Sequence, residues 1–238
     1  AVVLQGPGPQ LQARVKRLER YLSDGQPQMA AAQADLLLGE LRVCWADPED
    51  SLGAAILDPL VWDVIRLRDQ ALLQILPPPS GKKGAFIERI LDDAVYADWR
   101  YSVPASISIA QAILESNWGK ASAGNALFGI KGVGSAGSTR GTVVEYRNGK
   151  RYKRVDSFRA YYSLDESIQD HANLLARNRP YKAARRVREN PDALARALQG
   201  VYASDPHYAQ KLIRFLDTLS LRRFDWIDGS PLDPDARG

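Results

Sequence analysis

Apolar residues recur every three or four positions along three stretches before residue 77. The first of these carries the apolar set Leu11, Val15, Leu18 and Leu22, and residues 28–45 and 60–76 repeat the spacing. This period is typical of amphipathic helices that bury one face. The pattern predicts a small helical bundle, or helices that pack against a neighbour. It contains no catalytic constellation.

A proline-rich break interrupts this pattern. Residues 77–81 read Pro-Pro-Pro-Ser-Gly, and three consecutive prolines cannot continue a helix. We therefore predict a helical N-terminal region over residues 1–80, with a linker at 77–84. A second domain is predicted at 85–219, followed by a polar tail at 220–238.

The second domain combines helices with one stretch of alternating residues. Helices are predicted over 85–99 and from Pro104 to about Asn117. Residues 142–158 alternate between polar and apolar around Asn148-Gly149, which is typical of a β-hairpin with a type I′ turn.

Three further helices have recognisable start signals. Ser163-Leu-Asp-Glu166 is a capping box, Pro191 begins the next helix, and Ser204-Asp205-Pro206 provides an N-cap followed by proline. The predicted fold class is α+β and mainly helical, similar to lysozyme, with a β-hairpin lobe.

Composition narrows the functional classes. Hydrophobic residues make up 45% and charged residues 25%, as in ordinary globular proteins. No apolar run is long enough for a membrane span. The single cysteine excludes an intramolecular disulfide, and two scattered histidines show no metal-ligand spacing. No metal or other cofactor is predicted.

Positive charge is concentrated in residues 145–190, which carry twice as many Lys and Arg as Asp and Glu. Such a segment is either a solvated basic face or a surface that attracts a polyanion, such as nucleic acid or an anionic cell wall. No nucleic-acid recognition motif accompanies it, so a nucleic-acid partner is not predicted. His171 is predicted to lie on this basic surface.

Residues 111–119, Gln-Ala-Ile-Leu-Glu-Ser-Asn-Trp-Gly, carry the main candidate chemistry. Glu115 ends a largely apolar helix, and apolar surroundings raise the pKa of a carboxyl group. Such a group can stay protonated near neutral pH and act as a general acid. On composition alone, a glutamate on the surface of a helix end is the competing interpretation.

Three further motifs follow in order. They are Gly-Asn-Ala-Leu-Phe-Gly-Ile-Lys-Gly at 124–132, Thr-Val-Val-Glu-Tyr at 142–146, and Gly-Val-Tyr-Ala-Ser-Asp-Pro-His-Tyr-Ala at 200–209. With the Glu115 motif, this set resembles the bacterial endo-β-N-acetylglucosaminidases of glycoside hydrolase family 73. The resemblance covers roughly residues 85–219.

The resemblance implies roles for particular residues. Glu115 matches the family's catalytic acid, Glu145 the second acidic residue that serves as base or electrostatic stabiliser, and Tyr202 an active-site tyrosine. A further set matches the family along the substrate-binding cleft, either in packing or in contact with sugar: Asn125, Phe128, Lys131, Trp118 and Tyr208.

The function implied is hydrolysis of the β-1,4 bond between N-acetylglucosamine and N-acetylmuramic acid in peptidoglycan. Its setting would be the periplasm or cell wall, and its partner the glycan strand. Residues 1–80 would dock the enzyme onto a larger assembly or target it. A muramidase or lytic transglycosylase of the same fold is one alternative. A non-catalytic wall-binding module of a secretion or virion assembly is another.

Overall fold

The computed structural model describes residues 9–44, 51–147 and 150–226, with the side chains of 43–44, 51–56, 143–147 and 150–154 outside that description. Contacts divide the described chain into two compact units. One contains the residues up to Pro78 together with Trp226, and the other runs from Pro79 to Asp225. The division falls inside the proline-rich segment.

Three helices make up the first unit: α1 (Pro9–Ser23), α2 (Pro27–Cys44) and α3 (Ser51–Ile75). Their apolar faces meet as the periodicity predicts. One buried ion-pair cluster lies among them, where Arg68 donates to Asp35 at 2.5 Å and to Asp69 at 3.1 Å. Because both carboxylates are also buried, the guanidinium charge is compensated inside the bundle.

The second unit is built from helices around α5. Its helices are α4 (Lys82–Tyr101), α5 (Ala105–Ser116), α6 (Leu164–Arg177), α7 (Lys182–Arg185), α8 (Pro191–Leu198) and α9 (Tyr208–Thr218). Short 3₁₀ turns lie at Ala123–Asn125, Arg179–Tyr181 and Leu221–Phe224. Helix α5 contacts α4, α6, α8 and α9, and almost all of its residues are buried, because it is apolar or small on every side.

Carboxylates cap the N-terminus of α5. Asp98 accepts from the Ala105 amide at 3.1 Å, and Asp225 accepts from the Ser106 amide at 2.6 Å and from the Ser106 hydroxyl at 2.8 Å. Negative charge is favourable at this end of a helix, where backbone amides lack partners. The prediction of a polar tail from residue 220 is therefore wrong for residues 221–226, which are partly buried and include this capping carboxylate.

The predicted hairpin is present, with β1 (Ser138–Arg147) pairing antiparallel to β2 (Lys150–Arg159). Thr142 pairs with Val155, and Glu145 with Tyr152. The predicted turn at residues 148–149 lies outside the described residues. At the base of the hairpin, Lys131 forms an isolated bridge with Phe158, which joins the preceding loop to β2.

The helix start signals have mixed outcomes. Ser163 Oγ accepts from the Glu166 amide, so the N-cap half of the capping box is confirmed, whereas the Glu166 carboxylate accepts from the Tyr162 amide rather than from that of Ser163. Helix α8 begins at Pro191 as predicted. Asp205 accepts from the His207 amide at 2.9 Å, as an N-cap residue does, although α9 begins at Tyr208 rather than at Pro206. No helix among the described residues is long and apolar enough to cross a bilayer.

Candidate active site

Helix α5 ends in an abrupt turn directly after Glu115. Asn117, Trp118 and Gly119 all have positive φ, at 49°, 62° and 75°. Ser116 Oγ accepts from the Gly119 amide at 2.8 Å, which ties the turn to the last helical residue. A Cβ at Gly119 would lie 2.7 Å from a ring carbon of Phe86, so only glycine fits there. The turn leaves Glu115 in the last turn of a buried helix.

Glu115 is open to solvent, and protein atoms around its carboxyl raise its pKa to about 7. Desolvation is the main cause. Two groups on α9 act in the opposite direction: Tyr208, whose hydroxyl donates to Glu115 Oε1 at 3.0 Å, and the charge of Lys211. The charge of Asp205 raises the pKa further. The carboxyl can therefore hold a proton near neutral pH, as the sequence predicts.

Four rings form a cluster that reaches Glu115 through Tyr208. Phe128 lies against His171 with ring centroids 3.8 Å apart, His171 meets Tyr202 edge-on at 5.8 Å, and Tyr202 stacks on Tyr208 at 5.9 Å. The Tyr202 hydroxyl donates to the Phe128 carbonyl at 2.9 Å. Burial and the charge of Glu115 raise the pKa of Tyr202 well above its usual value. Both tyrosines of the 200–209 motif thus lie near the carboxyl, and Tyr208 is the one hydrogen-bonded to it.

The side chains of the 124–132 motif support the backbone. Asn125 donates to the carbonyls of Tyr161 and Tyr162, at 3.0 and 3.1 Å. Phe128 is buried against His171, and Lys131 pairs with Asp156 at 2.8 Å. These contacts fix the loop beside the hairpin base. Of the three, Lys131 has the most side-chain surface available to a ligand, with 54% exposed.

Trp118 packs between aromatic rings rather than standing free. Its ring meets Phe86 at 6.3 Å and Phe215 at 6.1 Å, both edge-on, and Lys83 lies over it at 5.1 Å. Packing is thus its evident role. Glu145 lies in β1, and its side chain is outside the described residues.

The predicted surface position of His171 is wrong, and Gln111 was not predicted as a site residue. His171 is fully buried rather than on the basic surface, and burial lowers its pKa to about 3. Gln111 is also fully buried and lies one helical turn before Glu115. The spacing of four residues, which puts both side chains on one face of α5, is the signal that could have identified Gln111.

The described residues contain no group of three His, Cys, Asp or Glu side chains that could hold a metal. A depression lies elsewhere in this unit, lined by Tyr101, Leu175, Arg188 and Leu194 among others. It contains none of the predicted site residues.

Comparison with known proteins establishes the family. Residues 91–221 match the glucosaminidase family described as mannosyl-glycoprotein endo-beta-N-acetylglucosaminidase. The chain belongs to this family. The resemblance drawn from the four motifs is thereby confirmed, and with it the expectation of a glycoside hydrolase.

Relatives of this chain include the peptidoglycan hydrolase FlgJ of Escherichia coli K12, which is 33% identical over 72% of the chain. A probable N-acetylmuramidase of Lactococcus lactis IL1403 is 40% identical over 73%. The chain spans 61% of the first relative's length and 42% of the second's.

Solved structures give the same architecture. The catalytic domain of the Listeria monocytogenes autolysin Auto is 32% identical, with a TM-score of 0.54 over 67% of this chain and 96% of that one. A mutant of a Sphingomonas peptidoglycan hydrolase is 38% identical, with a TM-score of 0.51 over 59% of this chain and 96% of that one. The predicted mainly helical, lysozyme-like fold with a β-hairpin is confirmed.

Proposed function

We propose that this chain is an endo-β-N-acetylglucosaminidase of peptidoglycan, with Glu115 as general acid. The observation that carries the proposal is the Glu115 carboxyl, whose pKa is raised to about 7, mainly by desolvation, although the residue is exposed. A glycosidase needs such a group to protonate the leaving oxygen. The names of the relatives support peptidoglycan as the substrate and the cell wall or periplasm as the setting.

The second half of the reaction requires a partner for the oxocarbenium-like transition state. Glu145, on the hairpin, would activate water as a base or stabilise the developing positive charge. The substrate's own N-acetyl oxygen is the alternative nucleophile. In both routes Glu115 donates its proton to the glycosidic oxygen, and Tyr202 lines the site beside it. No step needs a metal ion.

A second candidate function differs in which glycosidic bond is cleaved. The Lactococcus lactis relative, at 40% identity, is named a probable N-acetylmuramidase. A muramidase or a lytic transglycosylase could use the same acid, because both protonate a glycosidic oxygen. A wall-binding module without turnover is the non-enzymatic alternative.

Digestion of purified peptidoglycan by wild type, Glu115→Gln and Glu88→Gln separates these possibilities. Glu88 is an exposed glutamate on α4, so its substitution is a matched control. Products are reduced with borohydride and analysed by mass spectrometry. We expect reduced N-acetylglucosamine ends from wild type and Glu88→Gln, and a loss of at least about a hundredfold in Glu115→Gln.

Other products would indicate other activities of this chain. Reduced muramic ends would indicate a muramidase, and anhydromuramic ends a transglycosylase. Binding without cleavage by any of the three proteins would indicate the non-catalytic module. Full activity of Glu115→Gln would refute the assignment of the acid.

Residues 1–80 are proposed to dock the enzyme onto a larger assembly or to target it. The described residues up to Pro78 belong, with Trp226, to a compact unit other than the one that contains Glu115. Deleting them should leave hydrolysis of purified wall intact and abolish delivery in cells. Loss of hydrolysis of purified wall would show instead that they belong to the catalytic fold.

A further inference from the structure

A chain of three hydrogen bonds reaches Glu115 from the interior of the catalytic unit. Gln111 Oε1 lies 3.1 Å from His171 Nε2, and Gln111 Nε2 donates to the Tyr208 hydroxyl at 2.8 Å. Tyr208 in turn donates to Glu115 Oε1 at 3.0 Å. The chain crosses from α6 through α5 to α9 and returns to α5. Gln111, His171 and Tyr208 are all buried, so water does not compete for these bonds.

The direction of every bond in this chain follows from one nitrogen of His171. Nδ1 is buried and has no hydrogen-bond partner within the described part of the chain. A buried N–H without an acceptor costs more free energy than a bare lone pair, so Nδ1 is the unprotonated nitrogen. Nε2 therefore carries the hydrogen and donates it to Gln111 Oε1.

The Gln111 side-chain amide transmits this direction because its oxygen only accepts hydrogen bonds and its nitrogen only donates them. With its oxygen committed to His171, Gln111 can only donate towards Tyr208. The Tyr208 oxygen accepts that hydrogen, and its own hydrogen points to Glu115 Oε1. Neutral His171, whose pKa burial lowers to about 3, and the uncharged Gln111 hold this arrangement across the working pH range.

The consequence concerns which oxygen of Glu115 carries the acid proton. Oε1 already accepts the hydrogen of the Tyr208 hydroxyl. A proton on Oε1 that pointed towards Tyr208 would clash with that hydrogen. Among the described residues, none forms a hydrogen bond with Oε2. We propose that Gln111 and His171 are positioning residues that direct the acid proton of Glu115 to Oε2, the oxygen that donates to the glycosidic bond. This inference rests on the proposed role of Glu115 as general acid.

Other charged and titratable groups around Glu115 do not set this direction. From the segment before α9, Asp205 acts through its charge, and from α9 itself Lys211 does the same. The Tyr202 hydroxyl is committed to the Phe128 carbonyl. Only the Tyr208 hydroxyl, within the described part of the chain, donates directly to the carboxyl, so its orientation governs the choice between the two oxygens.

Removing Gln111 frees the Tyr208 hydroxyl to turn round. In Gln111→Met, protonated Glu115 can donate from Oε1 into the Tyr208 oxygen, which hides its proton from the substrate. We expect the pKa of Glu115 to rise by about one unit and the low-pH plateau of kcat to fall about tenfold. Tyr208→Phe removes the acceptor, so adding Gln111→Met to it should change neither quantity further.

The test is a double-mutant cycle on the full chain. The Glu115 carboxyl is titrated by NMR in protein labelled with ¹³C at glutamate carboxyls, and assigned with Glu115→Gln. Hydrolysis of purified wall is measured against pH in parallel. Gln111→Leu is the second variant of similar size, and because it also cannot donate to the Tyr208 hydroxyl, it should reproduce both effects. Ser106→Ala is the matched control, because it removes a buried hydrogen bond from the same helix.

The outcomes of the cycle distinguish a positioning role from a merely structural one. A plateau for the double variant equal to that of Tyr208→Phe, and above that of Gln111→Met, would support the proposal. A wild-type pKa and plateau in both Gln111 variants would overturn it, as would losses that multiply in the double variant or a Ser106→Ala variant that shifts the pKa equally. A wild type that shows the expected couplings by NMR but cleaves no wall would refute the proposed function while supporting the hydrogen-bond direction.

Discussion

At the scale of single residues, the pKa of Glu115 is set by opposing influences: desolvation, and groups within residues 205–211. Desolvation raises its pKa, and the hydrogen bond from Tyr208 lowers it. The charges of Lys211 and Asp205 act in opposite directions, and these two side chains are paired with each other at 2.5 Å. Asp205 and the α9 residues Tyr208 and Lys211 therefore tune the pKa of Glu115.

Substituting this charged pair should move the alkaline limb of the pH–rate profile in predictable directions. A general acid loses activity as pH rises through its pKa. Lys211→Met removes a charge that lowers the pKa of Glu115, so the limb should move to higher pH. Asp205→Asn should move it to lower pH. We expect shifts of about a few tenths of a pH unit, because Lys211 is exposed and Asp205 is partly exposed, so that solvent screens both charges.

The measurement is kcat/KM against pH at low and at high salt. The shifts should shrink at high salt, since they arise from charge. Movement of both variants in the same direction would contradict this account of the acid.

At the scale of elements, helix α5 owes its position to partners at both ends. Its C-terminus is closed by the turn at residues 117–119, and its N-terminus by Asp98 and Asp225. Asp225 follows the 3₁₀ turn in which Leu221 and Phe224 are fully buried. A segment predicted from the sequence to be a tail therefore caps the helix that carries Glu115.

Loss of the Asp225 cap should destabilise the catalytic unit. Asp225→Ala leaves the buried Ser106 amide and hydroxyl without this acceptor, so we expect a cost of about 1–3 kcal/mol in the free energy of unfolding. Denaturant unfolding measures it. Asp217→Ala is the control, because Asp217 is an exposed carboxylate that pairs with Arg222 at the surface. An equal loss in both variants would contradict the capping role.

At the scale of the whole molecule, burial of His171 links stability to pH. The folded chain keeps this imidazole neutral down to about pH 3, whereas an ordinary histidine takes up its proton near 6.5. The unfolded state therefore binds a proton that the folded state refuses between these values. The stability associated with neutral His171 is complete above about pH 6.5 and is lost as pH falls towards 3.

Because of this linkage, we expect the free energy of unfolding to depend less steeply on pH in the acid range when His171 is replaced. The free energy of unfolding of wild type should fall relative to that of His171→Gln by up to about 1.4 kcal/mol per pH unit in this window. Denaturant titrations at several pH values measure the difference. His207→Gln is the matched control, because His207 is exposed. Parallel curves for wild type and His171→Gln would contradict the prediction.

The basic surface also acts at the scale of the whole molecule. Arg179, Arg186 and Arg188 are exposed in the predicted basic segment. Replacing all three with Glu should weaken sedimentation with purified anionic cell wall several-fold at low salt, and the difference should vanish near about 1 M salt, where screening is nearly complete.

An equal charge change elsewhere is the control for this experiment. Lys16, Arg17 and Arg20 are exposed on α1 in the other unit. The triple Glu variant at these positions should bind wall as wild type does. Equal losses in both triple variants would indicate that net charge, rather than this surface, drives binding.

The sequence by itself determined the local structure and the family. Helical periodicity, the capping box at Ser163 and alternation through 142–158 are encoded by near neighbours, so the helices and the hairpin could be predicted. Four ordered motifs were enough to indicate the family and to select Glu115. Helix ends are encoded less exactly, and α9 begins at Tyr208, two residues after the predicted Pro206.

Only the tertiary structure decided which groups surround Glu115. Tyr208 and Glu115 are 93 residues apart, Gln111 and His171 are 60 apart, and Ser106 and Asp225 are 119 apart. Periodicity places a side chain on a face of its own element, but its partner depends on how distant helices pack. The burial of His171 and the choice of Tyr208 over Tyr202 as the hydrogen-bond partner of Glu115 therefore came from packing, which no local pattern encodes.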